Sequence, residues 1–175
     1  MRKKEALLII DMLNDFVQKG APLEVPSTRS IISSIQKEVK TARSKGRSVI
    51  YICDYHKKKD PEFNKMGWPA HAVKGSKGAE IVKELKPHKG DYIIRKSTYS
   101  GFYKTRLDAL LRKLEIKNLR FTGCVTNICI LYTASDAVLR GYDVTVKKNC
   151  VAGLSPQTHR FSLLQMKDVL GVHVV

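Results

Sequence analysis

The sequence predicts an α/β fold, a doubly wound parallel sheet with helices packed on both faces. Three observations carry that expectation. Six short apolar runs recur along the chain, and helical patterns separate them, the alternation expected of β-α-β units. Right-handed crossovers between such strands put helices on both sides of the sheet. A length of 175 residues and a hydrophobic content of 43% suffice for one domain, 1–175, with a real core.

The elements follow in order. Residues 6–10 form a continuous apolar run closed by Asp11, as in a strand buried on both faces. Asn14 to Phe16 and Gly20 to Pro22 read as loop. Residues 27–45 read as an amphipathic helix with Ile31, Ile32, Ile35, Val39 and Ala42 on one side, ended by Gly46. A second strand, 48–53, is closed by Asp54. A long loop, 55–77, follows, and loops of that length are often functional. A short helix is expected over 79–85, a strand over 91–95 with Lys96 at its end, and a helix over 104–114. Residues 119–124 make the fourth strand. Thr126 or Asn127 then caps a helix that runs to about Arg140 and stops at Gly141. A strand over 142–146, a helix over 156–170 and a strand over 171–175 complete the chain.

Composition excludes several classes. No segment is long and apolar enough to span a bilayer. The first apolar run follows basic residues, as in a signal peptide, but it is short, ends in Asp11 and lacks a small-residue cleavage site. A cytoplasmic location is therefore expected. Cys53, Cys124, Cys129 and Cys150 include no C-x-x-C pair, which argues against a zinc knuckle or a disulfide scaffold. The net charge of +16 raises nucleic-acid binding as a question. The basic residues are scattered, however, and the one dense run, Lys57 to Lys59, falls in a loop. A lysine-rich solvated surface is the favoured meaning.

The strand ends hold the chemistry. In parallel α/β sheets, ligands bind outside the carboxyl ends of the strands. Asp11, Asp54 and Lys96 sit at such ends, with Cys129 one turn into the helix after the fourth. Off the apolar stripe of that helix, Cys129 is expected to face the rim, where the helix N-terminus lowers a thiol's pKa. A buried structural cysteine is the plain alternative. A thiol nucleophile also needs a base and an oxyanion site. Asp11 can be the base, Lys96 can hold both groups charged, and the amides of Thr126 and Cys129 can hold the oxyanion.

Three stretches, Ala6-Leu-Leu-Ile-Ile-Asp-Met-Leu-Asn-Asp-Phe16, Arg95-Lys-Ser-Thr-Tyr-Ser-Gly-Phe102 and Gly123-Cys-Val-Thr-Asn-Ile-Cys129, resemble the motifs of the isochorismatase-like cysteine hydrolases, the superfamily of nicotinamidase and pyrazinamidase. The resemblance covers nearly the whole chain. It implies a sheet in the order 3-2-1-4-5-6, the triad Asp11, Lys96 and Cys129, and a cis peptide between Val125 and Thr126. It also implies a homo-oligomer and a small-molecule amide substrate. Asp54-Tyr-His56 and Trp68-Pro-Ala-His71 resemble the nicotinamidase metal motif. Asp54, His56 and His71 suit zinc, or iron or manganese, with Glu62 or water completing the site. Without the resemblance, the same three residues read as loop caps and packing.

The expected reaction is cleavage of nicotinamide to nicotinate and ammonia through a thioester. Phe16, Trp68 and Tyr99 are the candidate substrate walls. Two features depart from the nicotinamidase pattern: the short step from Lys96 to Tyr99, and the compact loop from His56 to His71. Both resemble N-carbamoylsarcosine amidase-like proteins, and an N-carbamoyl acid would call for a cation such as Arg95. The reading from another class is a basic binding module without turnover.

Overall fold

The computed structural model describes residues 4–175. Six parallel strands run in the order β3-β2-β1-β4-β5-β6. They are β1 (Lys4–Ile10), β2 (Ser48–Asp54), β3 (Tyr92–Lys96), β4 (Ile116–Cys124), β5 (Asp143–Ala152) and β6 (His173–Val174). The strand period of two divides β1 between two cores. Ala6, Leu8 and Ile10 face one apolar layer, and Leu7 and Ile9 face the other. The first layer receives α4 (Leu107–Lys113), α5 (Leu131–Leu139) and α6 (Pro156–Asp168) through Leu107, Leu111, Ala134, Ala137 and Met166. The second receives α2 (Thr28–Ser44) through Ile31, Ile35, Val39 and Ala42.

Several elements differ from the sequence expectation, each for a physical reason. Asn14–Val17 forms a short helix, α1, and Pro61–Met66 forms α3 within the long loop. Asp60 caps α3 by accepting from the Glu62 amide at 3.0 Å, and Pro61 fits its first position. No helix forms over 79–85; two single turns, Lys77–Ala79 and Lys83–Leu85, stand there instead. The backbone between them is engaged with the first loop: Asn14 donates to the Glu80 carbonyl at 2.9 Å and Val82 to that of Met12 at 3.0 Å. The helix expected from 104 begins at Leu107, because Lys104 has φ +51° and the Thr105 hydroxyl accepts from the Leu107 amide. β5 runs on to Ala152 past a register shift, which its polar centre, Lys147 to Asn149, disguises.

The close approach of β1 and β4 requires glycine at one point. Gly123 has φ +112°, and a Cβ there would meet the Ile10 carbonyl oxygen at 2.0 Å. Neither the conformation nor the space accepts a side chain. Gly123→Ala is therefore expected to lower stability by about 3 kcal/mol or more in urea unfolding, with loss of soluble protein as the extreme case. A variant as stable as the parent would contradict the strand geometry described.

Candidate active site

The strand order brings the charged strand ends together. β3, β2 and β1 are neighbours, with Lys96 paired to Asp54 and Ile52 to Ile10. β4 lies against the other side of β1, with Gly123 paired to Ile10, and carries the chain toward Cys129. Asp11 is held from several directions. Its amide donates to the Ile52 carbonyl at 2.8 Å, and its Oδ1 accepts from the Asp54 amide at 2.8 Å. Its carbonyl accepts from the Cys124 thiol at 3.1 Å. These bonds fix it at φ +51°, a strained position for a residue with a side chain.

Lys96 is the centre of the cluster and is 3% exposed. Its Nζ lies 2.7 Å from Asp11 Oδ2, donates to Asp54 Oδ1 and lies 3.4 Å from the Cys129 sulfur. The two carboxylates and the thiol fall within 4.8 Å of one another. Burial opposes the charge on Lys96, but Asp11 and then Asp54 outweigh it and hold the ammonium well above the usual lysine range. Burial raises Asp11, Asp54 raises it further and Lys96 opposes both, leaving it at about 6. Asp54 is lowered, since the attraction of Lys96 and contact with His56 exceed the cost of its burial.

Cys129 differs from expectation in two ways. It sits in a π-helical turn, Thr126–Ile130, that precedes α5, and it is 8% exposed, packed into the apolar layer rather than on an open helix surface. Burial pushes its thiol well above the ordinary range despite Lys96, so the lowered pKa expected from the helix terminus is not met. The cis peptide also lies one bond earlier than expected, between Cys124 and Val125 rather than between Val125 and Thr126. Thr126 is buried, and its hydroxyl meets His159 Nδ1 at 2.9 Å, which ties the turn to α6.

A cavity of about 370 Å³ opens over this cluster, lined in part by Asp11, Cys129 and Val125. Phe16, Trp68 and Tyr99 are among its lining residues. The Phe16 and Trp68 rings pack against His71, with centroids 5.6 and 6.0 Å away, while Trp68 meets Tyr99 at 6.2 Å. The motif that carries Tyr99 is anchored on α5: Ser100 donates to Asp136, and the Gly101 amide donates to the Thr133 hydroxyl at 3.0 Å. Leu154 and the 21–25 segment also line the cavity, which the sequence did not signal. Arg95 stands elsewhere, its guanidinium 3.9 Å above the Tyr55 ring. Strand alternation separates it from Lys96.

Asp54, His56 and His71 form a buried trio. Asp54 Oδ2 faces His56 Nε2 at 3.8 Å, while Asp60 Oδ2 lies 3.2 Å from His56 Nδ1 and leaves Nε2 toward the trio. His71 Nδ1 bonds the Pro69 carbonyl at 2.9 Å, which leaves Nε2 as its available lone pair. One carboxylate oxygen and two imidazoles with unspent nitrogens suit a divalent transition metal. Glu62 groups with His56 and Asp60 rather than within the trio itself.

Residues 5–174 match the isochorismatase domain. The chain belongs to the isochorismatase family. Its fold superimposes on other family structures across almost the whole chain. Pyrazinamidase of Pyrococcus horikoshii, solved in complex with zinc, is 31% identical, with a TM-score of 0.92 and 98% of both chains covered. N-carbamoylsarcosine amidase of Thermoplasma acidophilum is 34% identical, with a TM-score of 0.88 over 98% of this chain and 95% of that one. In sequence, a probable inactive nicotinamidase of Arabidopsis thaliana is 34% identical over 95% of this chain and 90% of its own length.

The cluster makes a clear stability prediction. Lys96→Met leaves two buried carboxylates without their cation and should cost about 3–5 kcal/mol at neutral pH. Without the ammonium, the folded-state pKa values of Asp11 and Asp54 both rise. A raised carboxylate destabilises the fold above its unfolded pKa, and that penalty fades as pH falls and it protonates. Urea unfolding at about pH 7.5 and about pH 5 should show the deficit narrowing on acidification. A deficit independent of pH would mean that Lys96 acts through packing alone.

Proposed function

We propose that this chain is a cysteine-dependent amidohydrolase acting on a small uncharged amide, with nicotinamide as the substrate that fits best. The observation that carries this reading is the three-way contact of buried Lys96 with Asp11, Asp54 and Cys129 beneath the cavity. Asp11 takes the proton of Cys129, and the thiolate attacks the amide carbon. Lys96 offsets the negative charge that builds up, supplying electrostatic stabilisation in a site shielded from water. The oxyanion is received by backbone amides of the 126–129 turn. That of Ile128 is already spent on the Val125 carbonyl at 3.1 Å, and those of Thr126 and Cys129 are the candidates. Asp11 returns its proton to the leaving nitrogen, and ammonia departs. Asp11 then deprotonates a water that attacks the thioester, releasing the carboxylic acid and the thiol.

Asp54, His56 and His71 would hold a divalent metal, zinc by analogy with the pyrazinamidase neighbour. Such an ion supplies a Lewis-acid contact for a heteroaromatic nitrogen. Phe16, Trp68 and Tyr99 offer the flat apolar walls that a pyridine ring requires.

The same-family alternative is an N-carbamoyl acid. The cavity supports it less well. No lysine or arginine is among the described residues that line it, whereas Glu24 and Glu62 are. A substrate carboxylate would meet Glu24 and Glu62 without a lysine or arginine among the described lining residues, and Arg95 lies outside the cavity.

An ammonia-release assay over nicotinamide, pyrazinamide and N-carbamoyl amino acids, with and without added zinc, tests the reading. Nicotinamide should be cleaved, and Cys129→Ala should lower turnover by roughly 10⁴-fold or more with the fold retained. Trp68→Ala should raise KM for nicotinamide by about tenfold, the worth of one aromatic wall. Cleavage of a carbamoyl acid alone would overturn the substrate and leave the thiol mechanism. Near-normal activity of Cys129→Ala would overturn the mechanism itself.

A further inference from the structure

The face of the sheet that carries α2 holds a second cavity, of about 420 Å³, between that helix and residues 83–88. Lys40 and Arg43 line it from α2, and Lys83 and Lys86 from the opposite wall. The Gln36 side-chain amide donates to the Glu84 carbonyl at 2.8 Å and ties the two walls together. The lysines are exposed, whereas the inner end is formed by Tyr51 of β2, which is 1% exposed. The Tyr51 hydroxyl is buried close to Arg43, but its own proton meets no acceptor, and neither does Arg43 Nε. A buried hydroxyl is almost always paired, because leaving it unmet costs about 1–3 kcal/mol. Burial above all, with the nearby Asp91 adding and Arg43 opposing, pushes the phenol up to about 12. Tyr51 therefore stays protonated and offers a donor.

The charge inside this cavity is unbalanced. Four cations, Lys40, Arg43, Lys83 and Lys86, line it with one carboxylate, Glu84, and Asp91 stands just outside the lining. Asp91 pairs with Arg43 and accepts from the His88 amide at 2.8 Å. Two positive charges remain over. The cavity thus combines donors that lack acceptors with a surplus of positive charge at its exposed end. No part of this depends on the reading of the active site.

We propose that this cavity binds a compact phosphate-bearing anion, with the Tyr51 hydroxyl and Arg43 as donors at its buried end and Lys40, Lys83 and Lys86 around its opening. A phosphate monoester matches the surplus of two charges and presents three acceptor oxygens to donors that converge from separate elements. A carboxylate carries half that charge. A nucleic acid would use the exposed lysine run of the 55–77 loop, not a recess whose donors are buried.

Titration calorimetry with inorganic phosphate and with glycerol 2-phosphate, at fixed low salt, tests this. One equivalent of phosphate or of the ester is expected to bind, and the tighter of the two identifies the source. Tyr51→Phe removes only the hydroxyl. It should weaken binding about tenfold or more, the worth of a hydrogen bond to a charged group, while leaving Tm without phosphate unchanged or raised. Lys83→Gln/Lys86→Gln should weaken binding to a similar extent, and Lys57→Gln/Lys58→Gln should change it by less than about twofold. The proposal falls if no saturable binding occurs or if Tyr51→Phe binds as well as the parent. It falls equally if the Lys57/Lys58 variant loses as much affinity, which would mean diffuse attraction only. A drop in Tm of Tyr51→Phe without phosphate would also overturn it, by revealing a partner for the hydroxyl within the fold.

Discussion

Everything in the candidate active site depends on one buried ammonium. Lys96 neutralises Asp11 and Asp54 at once while touching the Cys129 sulfur. A single cation cannot satisfy two carboxylates fully, and the pair resolves the conflict unequally. Asp54 is lowered, and Asp11 is left at about 6. Two neighbouring acids pushed apart in this way are suited to different work, one as a permanent anion and one as a group that exchanges a proton. Asp54 also belongs to the trio with His56 and His71, so the candidate metal ligands and the thiol share the same lysine. The two halves of the site are one electrostatic system.

The surrounding structure maintains that arrangement by exclusion as much as by contact. Phe16 and Trp68 pack against His71, and Phe63 adds a third aromatic ring at 5.0 Å. They leave a cavity whose titratable lining is acidic and imidazole rather than basic. For a chain of net charge +16 this is an uneven distribution. The positive charge lies on the surface and around the second cavity, while the active-site cavity is kept free of exposed cations.

Much of this was legible in the sequence. The apolar runs closed by Asp11 and Asp54 identify strand ends, because a charged residue seldom continues a strand buried on both faces. The parallel topology does the rest. The nucleophile's turn was less legible. Ile130, Leu131, Ala134 and Ala137 repeat at helical spacing, so nothing in the pattern marks the five-residue turn before them as wider than an α-helix. Burial of Cys129 follows from that turn and was missed with it. Arg95, which with a loop lysine is a candidate cation only for an N-carbamoyl acid, is placed by alternation along β3 on the opposite side from Lys96. The Tyr51 hydroxyl without an acceptor was invisible for a different reason. A tyrosine within an apolar strand reads as core, and only coordinates reveal a donor left without an acceptor.

The strand order also decides when the site can come into being. Its residues come from the ends of β1, β2 and β3 and from the turn after β4, and Leu154 joins from beyond β5. Each crossover must close before the next contributor arrives, and the pairing of β1 with β4 joins residues more than a hundred positions apart. Such non-local contacts make folding slow relative to a helical protein of the same size. During synthesis the acid and the lysine emerge well before the thiol. The pairing of β1 with β2 sets the carboxylates of Asp11 and Asp54 side by side, and only the edge strand β3 carries the cation that offsets their repulsion. Loss of that one edge strand would therefore leave the two central strands ending in an uncompensated pair of like charges.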